Sequence, residues 1–178
     1  MLGLVQKYTP ADILMQYVLQ DAELCYHQLI KKYPEYTWTN KYVKRGLSYV
    51  IPEFSLLTCY NHFNLFAFWC DDAIISDCKK ILKLGLPINT SIRLKSGERH
   101  TILLIGYDEE RKLFYAHDPL GDYFSNYKIM YGANIEFPFY KILKISTGNP
   151  LRIQLSCNSY QSELVSEILH LRKLYSWP

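Results

Sequence analysis

Arg99-His100-Thr101-Ile102-Leu103-Leu104-Ile105-Gly106-Tyr107-Asp108 and, after a charged stretch, Leu113-Phe114-Tyr115-Ala116-His117-Asp118-Pro119-Leu120-Gly121 read together as strand, turn and strand. The first apolar run spans Thr101 to Gly106, the second Leu113 to Ala116, and Asp108 to Lys112 supplies the turn between them. Folding at that turn brings His100 back toward Asp118, eighteen positions further along the chain. With the turn centred near Glu109 or Glu110 the two residues face each other across the ladder, where Cβ atoms are about 5 Å apart. An imidazole oriented by a carboxylate is the base half of a catalytic triad. The plainer alternative is a hydrogen-bonded structural pair, because Asp118, Pro119 and Gly121 favour a turn whatever chemistry stands beside it.

Working outward, apolar periodicity predicts helices over Pro10–Lys32, Asn40–Val50 and Ile74–Leu84. Strands are expected over Ile88–Leu94, Thr101–Tyr107, Leu113–His117 and Ile142–Ser146, and a last helix over Ser162–Tyr175. Helices grouped ahead of an antiparallel sheet make an α+β fold. Residues 1–146 read as one domain, and residues 147–178 as an extension whose single helix packs on it. Leu164, Ile168, Leu171 and Leu174 give that helix an apolar stripe, which either covers the domain or forms a dimer contact.

The hairpin also resembles a known family. His, a run of aliphatics, Gly-Tyr-Asp, a turn, an aromatic strand and Asp-Pro-x-Gly are similar to the second half of the papain-like cysteine peptidases that cleave double-glycine leader peptides of bacteriocins, and of their bacterial and phage relatives. Asp77 to Ile92, with Gly85-Leu86-Pro87 at its centre, resembles the helix, turn and first central strand of that family, and Tyr127 to Gly132 with Phe137 to Leu143 resembles a closing segment of some phage relatives. The resemblance implies a papain-like fold with N-terminal helices packed on an antiparallel sheet, His100 as general base and Asp118 as its orienting partner. It also implies a nucleophile at the start of the first helix, where Tyr8-Thr9-Pro10-Ala11-Asp12 stands in place of the family's Cys-Gly-Pro. Thr9 and Asp12 still form a capping box and Pro10 suits the first helical position, so the platform is kept while its thiol is replaced by a phenol. A phenol is a poor substitute for a thiolate in acyl transfer. Tyr8 in this place is similar to the degenerate peptidase-like domains of certain exporters, which bind cargo without cutting it. Gln6 is the candidate for the family's oxyanion-hole glutamine, although its spacing from Tyr8 is short.

The resemblance thus points to a degenerate, non-catalytic protein that binds a peptide or protein segment in the former substrate groove, with Tyr8, His100, Trp69 and Tyr123 as expected contacts. The alternative is an active peptidase, hydrolase or acyltransferase in which His100 and Asp118 work with another cysteine. Cys25 lies several turns into the first helix, beyond the reach of the helix dipole, and reads as a core residue. Cys59 and Cys70 flank an aromatic-rich stretch, and Cys78 and Cys157 have no partner motif. Zinc sites of the finger type need two close pairs of ligands, which the spacing of Cys59, His62 and Cys70 does not provide, so no metal and no cofactor is expected.

Composition narrows the remaining classes. A hydrophobic content of 49% over 178 residues is enough for a substantial core. The net charge of +3 comes from scattered Lys and Arg, so nucleic acid is not an expected partner. Neither a signal-peptide pattern nor an apolar run of membrane-spanning length is present, and five cysteines without framework spacing suit a reducing compartment, which together suggest a cytoplasmic protein.

Overall fold

A computed structural model describes residue 31 and residues 65–177, with side chains as far as residue 174. Lys31 is helical and exposed; the rest of the helices expected over Pro10–Lys32 and Asn40–Val50 lies outside the described residues, as do Gln6, Tyr8, Cys25 and Cys59. The chain divides into two compact units, residues 1–68 with 156–159 and 175–178, and residues 69–155 with 160–174. The site described below belongs to the second.

The described elements follow in the order β1 (Phe66–Ala73), α1 (Ile75–Lys83), β2 (Ile88–Arg93), β3 (Arg99–Asp108), β4 (Leu113–His117), β5 (Ile135–Pro138), α2 (Phe139–Ile145), β6 (Leu151–Cys157), α3 (Ser159–Leu169) and β7 (Leu174–Trp177). Sheet order is β5-β4-β3-β2-β6-β1-β7. The pairings of β2 with β3 and β6, and of β4 with β3 and β5, are all antiparallel. This is a mixed fold of helices with an antiparallel sheet.

Local chemistry explains the elements around the hairpin. In α1 the Asp77 carboxylate accepts the free N–H of Ile74 at 3.0 Å, and Arg172 Nε donates to the same oxygen at 2.7 Å. One buried acid therefore starts the helix and ties it to the segment after α3. Gly85, at φ +74°, ends the helix in the left-handed conformation that glycine adopts without penalty. In β2, Ile88, Thr90 and Ile92 are buried while Asn89, Ser91 and Arg93 are less so, the alternation of a strand with one face on the core. The turn to β3 closes through Gly97 at φ +90°, with the Leu94 N–H donating to the Glu98 carbonyl at 2.9 Å. One core row crosses four strands: Ile88 faces Leu104, Leu104 faces Ala116, and Ala116 faces Ile135. All four are buried.

Several expectations are corrected. Residues Ile142–Ser146 form no strand: Phe139–Ile145 is α2, entered from Pro138 with a φ near −56°, which a proline ring holds for a helix start. Only Ile142 of that helix is buried. The final helix runs Ser159–Leu169, not to Tyr175. It buries Ser162, Val165 and Leu169, so the apolar stripe expected on Leu164, Ile168, Leu171 and Leu174 is displaced, and Leu171 is an exposed residue beyond the helix. Besides β7, which stands where the last helix was expected to end, three strands were not anticipated: β1, β5 and β6. The last of these lies inside the segment read as an extension and pairs with β2 through Asn89↔Gln154 and Thr90↔Ile153.

Candidate functional site

The β3–β4 register decides what faces His100. Near the turn Gly106 faces Tyr115 and Tyr107 faces Phe114, but further out Leu104 faces Ala116 and Leu103 faces His117. The shift is a β-bulge at Ile105, where one extra residue is taken up on β3. Continued one position, the outer register sets Asp118 opposite Ile102, whose side chain points to the same face as His100. Without the bulge Asp118 would stand opposite Leu103 and point to the other face. His100 and Asp118 are therefore diagonal neighbours on one face; the direct facing expected from a turn centred near Glu109 or Glu110 is corrected, since Asp118 stands opposite Ile102, two residues along β3 from His100.

The two side chains nonetheless meet. His100 Nε2 lies 2.6 Å from Asp118 Oδ1, with the His100 side chain 10% exposed and the Asp118 side chain fully buried. With Nε2–H donated to the carboxylate, Nδ1 carries the imidazole lone pair. Among the described residues nothing hydrogen-bonds Nδ1. The carboxylate is held from further directions: the Leu120 N–H donates to Oδ1 at 2.9 Å, and the Tyr127 hydroxyl lies 3.3 Å from Oδ2. The Tyr127 ring stands edge-on to His100, centroids 6.2 Å apart. Asp118 is fixed at its backbone as well, because its N–H donates to the Gly132 carbonyl at 2.7 Å and its carbonyl accepts from Gly121 at 3.2 Å.

A pocket of about 610 Å³ takes Asp118, but not His100, into its lining. Asn89, Thr101, Leu103 and His117 line it from the sheet, Asp118 and Pro119 from the end of β4, and Met130 to Ala133 from the loop that leads to β5. His117 Nδ1 accepts the Asn134 N–H at 3.1 Å, which leaves its Nε2 to carry the proton. The loop presents an apolar surface beside the pocket, with Met130 78% and Tyr131 72% exposed and Leu120, Phe124 and Ile129 also exposed.

Other residues singled out from the sequence have different surroundings. Trp69 is wholly buried, its indole N–H donating to Asp71 Oδ1 at 3.1 Å and the Arg152 guanidinium over its ring. Tyr123 is buried in an aromatic cluster with Phe124, Phe137 and Tyr127, and so stands behind the ring that touches His100. The described cysteines, Cys70, Cys78 and Cys157, are free and buried. Burial pushes the Cys70 thiol up to about 12 and the Cys157 thiol up to about 11, and raises Cys78 further still with help from the charge of Asp77. Among the described residues no group of His, Cys, Asp and Glu is arranged to hold a metal ion, and no helix is long and apolar enough to cross a membrane. Tyr127, Gly132 and the Leu120 N–H escaped the sequence reading as parts of the site; the glycine between two bulky segments was the available signal.

Residues 26–147 match the model of a family described as Peptidase_C39 like family. The match includes His100 and Asp118 and does not reach Tyr8 or Gln6. No curated protein matches the chain.

Proposed function

The chain belongs to the Peptidase_C39 like family, and from that premise we propose that it is a degenerate member which binds a peptide or protein segment beside His100 without cutting it. The observation that carries this reading is the 610 Å³ pocket whose lining includes Asp118, the partner of His100. Its size and its mixture of aliphatic walls with a few amide, hydroxyl and imidazole groups suit an apolar side chain whose backbone is held by hydrogen bonds. Acyl transfer needs a thiolate, and the three described thiols are all held in the neutral form by burial. Tyr8 at the nucleophile position is part of the same proposal and supplies a phenol in place of a thiol.

One observation favours a second reading. With Nε2 donated to Asp118, the Nδ1 lone pair is a competent general base, which suits an active hydrolase using Cys25 or Cys59. Two measurements on the whole protein separate the readings. A panel of short fluorescent peptides should show binding by anisotropy, with intact peptide recovered by mass spectrometry. Met130→Asp, at an exposed pocket wall, should weaken that binding about tenfold, the loss of one apolar contact of about 1.4 kcal/mol. Peptide cleavage abolished by His100→Ala, or one thiol that alkylates fast and is slowed by that substitution, overturns the non-catalytic reading. Absence of any binding across the panel overturns the binding reading.

A further inference from the structure

We infer that Tyr127 is a positioning residue for the His100–Asp118 pair: its hydroxyl holds the carboxylate oxygen that the imidazole leaves over, and its ring edge bounds the space beside His100. The inference rests on reading His100 as a base, working or inherited, and adds a third member to it.

Three independent features support it. The first is the contact itself. Asp118 Oδ1 takes the imidazole and the Leu120 N–H, while Oδ2 takes the Tyr127 hydroxyl at 3.3 Å. A carboxylate gripped at both oxygens cannot rotate away from its histidine. The second is the backbone. Asn126 and Tyr127 adopt φ +59° and +61°, consecutive left-handed residues that are not glycine, an arrangement unusual for a ring as bulky as tyrosine. The surrounding loop over-determines it: the Asp122 carboxylate accepts the Phe124 and Ser125 N–H groups, Tyr127 N–H donates to the Asp122 carbonyl at 2.9 Å, and Ile129 N–H donates to Ser125 Oγ at 3.1 Å. Strain of this kind costs about 1–3 kcal/mol per residue and persists where the fold needs the placement it produces. The third is chemical. Burial and the charge of Asp118 push the phenol well above its ordinary range, so it remains a donor wherever a histidine titrates.

Among the described residues, Asp118 and Tyr127 are the titratable groups that touch the imidazole; Tyr123 and Asp122 stand behind Tyr127, and the residue facing His100 on β2 is the apolar Ile92. A hydroxyl donated to Oδ2 draws off part of the negative charge that stabilises an imidazolium at Oδ1. Tyr127 should therefore moderate the basicity of His100 as well as fix its partner.

The test is an NMR titration of the whole protein labelled at histidine, with His100→Gln identifying the resonance. Asp118→Asn should lower the His100 midpoint by about one unit or more, through loss of the neighbouring charge. Tyr127→Phe keeps the ring and should raise it by about half a unit. Asn126→Gly relieves backbone strain without touching the phenol and should leave the midpoint in place. An unmoved midpoint in Tyr127→Phe beside a moved one in Asp118→Asn overturns the role of Tyr127 alone. An equal shift in Asn126→Gly also overturns it, since loop relaxation then accounts for the effect. An unmoved midpoint in Asp118→Asn overturns the base reading beneath both.

Discussion

Replacing Gly132 by Ala tests how the loop returns over the site. A Cβ at this position would lie 2.0 Å from the Asp118 carbonyl oxygen and 2.9 Å from that of Gly121. Both are backbone atoms, so no side chain can rotate out of the way. Carbon and carbonyl oxygen approach to about 3.3 Å at closest, so the crossing segment must retreat by roughly an ångström. That retreat breaks the Asp118 N–H to Gly132 carbonyl bond, now 2.7 Å long. Overpacking costs about 1–3 kcal/mol and the lost bond about 1 kcal/mol, so we expect about 2–4 kcal/mol. For a chain of 178 residues this corresponds to a fall of about 5–15 °C in melting temperature, read by circular dichroism. Where the loop opens locally instead, the His100 resonance should move to that of an untethered imidazole. An alanine variant that melts within about 1 °C of wild type with an unchanged His100 resonance would refute the crossing of the loop over Asp118.

Other outcomes follow from single contacts. Asp77→Ala removes a helix cap and the buried partner of Arg172 together, and should cost about 2–4 kcal/mol in chemical denaturation, whereas a change under 0.5 kcal/mol would mean that α1 is held by packing alone. Because the Cys70 thiol is raised from 9.0 to about 12, it holds roughly a thousandfold less thiolate near neutral pH and should resist iodoacetamide until the protein unfolds; early labelling seen by mass spectrometry would contradict its burial. The same shift fixes the sign of an alkaline effect. Between pH 9 and 12 the unfolded thiol has lost its proton while the folded one keeps it, so stability is full below pH 9 and declines above it. Its slope is up to about 1.4 kcal/mol per pH unit for each such thiol, and stability flat from pH 8 to 10.5 would exclude it.

The hairpin was legible because its two strands are separated by a charged turn, and β2 because Ile88 and Ile92 fall on one face of a strand that follows the Gly85-Leu86-Pro87 turn. The helix before β2 was legible to within one residue at each end, since Asp77 and Gly85 mark its start and stop. Sequence could not reveal the bulge at Ile105, because an unbroken aliphatic run gives no sign of where one residue slips. Ile142–Ser146 reads as a strand because a short run with isoleucines suits either structure; burial of Ile142 alone, with Tyr140 and Leu143 exposed, belongs to a helix lying on a surface. In β5 only four residues pair, Ile135 to Pro138, too few to stand out. Leu151–Cys157, by contrast, alternates strictly between apolar and polar residues and could have been found. At the site, His100 and Asp118 were visible as residue types at a hairpin's ends. Tyr127 was not, because its reach depends on left-handed backbone at a position where the side chain gives no hint of it.

The most direct test of the central claim, that His100 is a neutral base oriented through Nε2 by Asp118, is the nitrogen-15 NMR spectrum of its imidazole above its titration midpoint. We predict an Nε2–H tautomer with Nδ1 carrying the lone pair, converted to a mixture of tautomers by Asp118→Asn. An Nδ1–H tautomer in the wild type, or a mixture that Asp118→Asn leaves unchanged, would contradict the account.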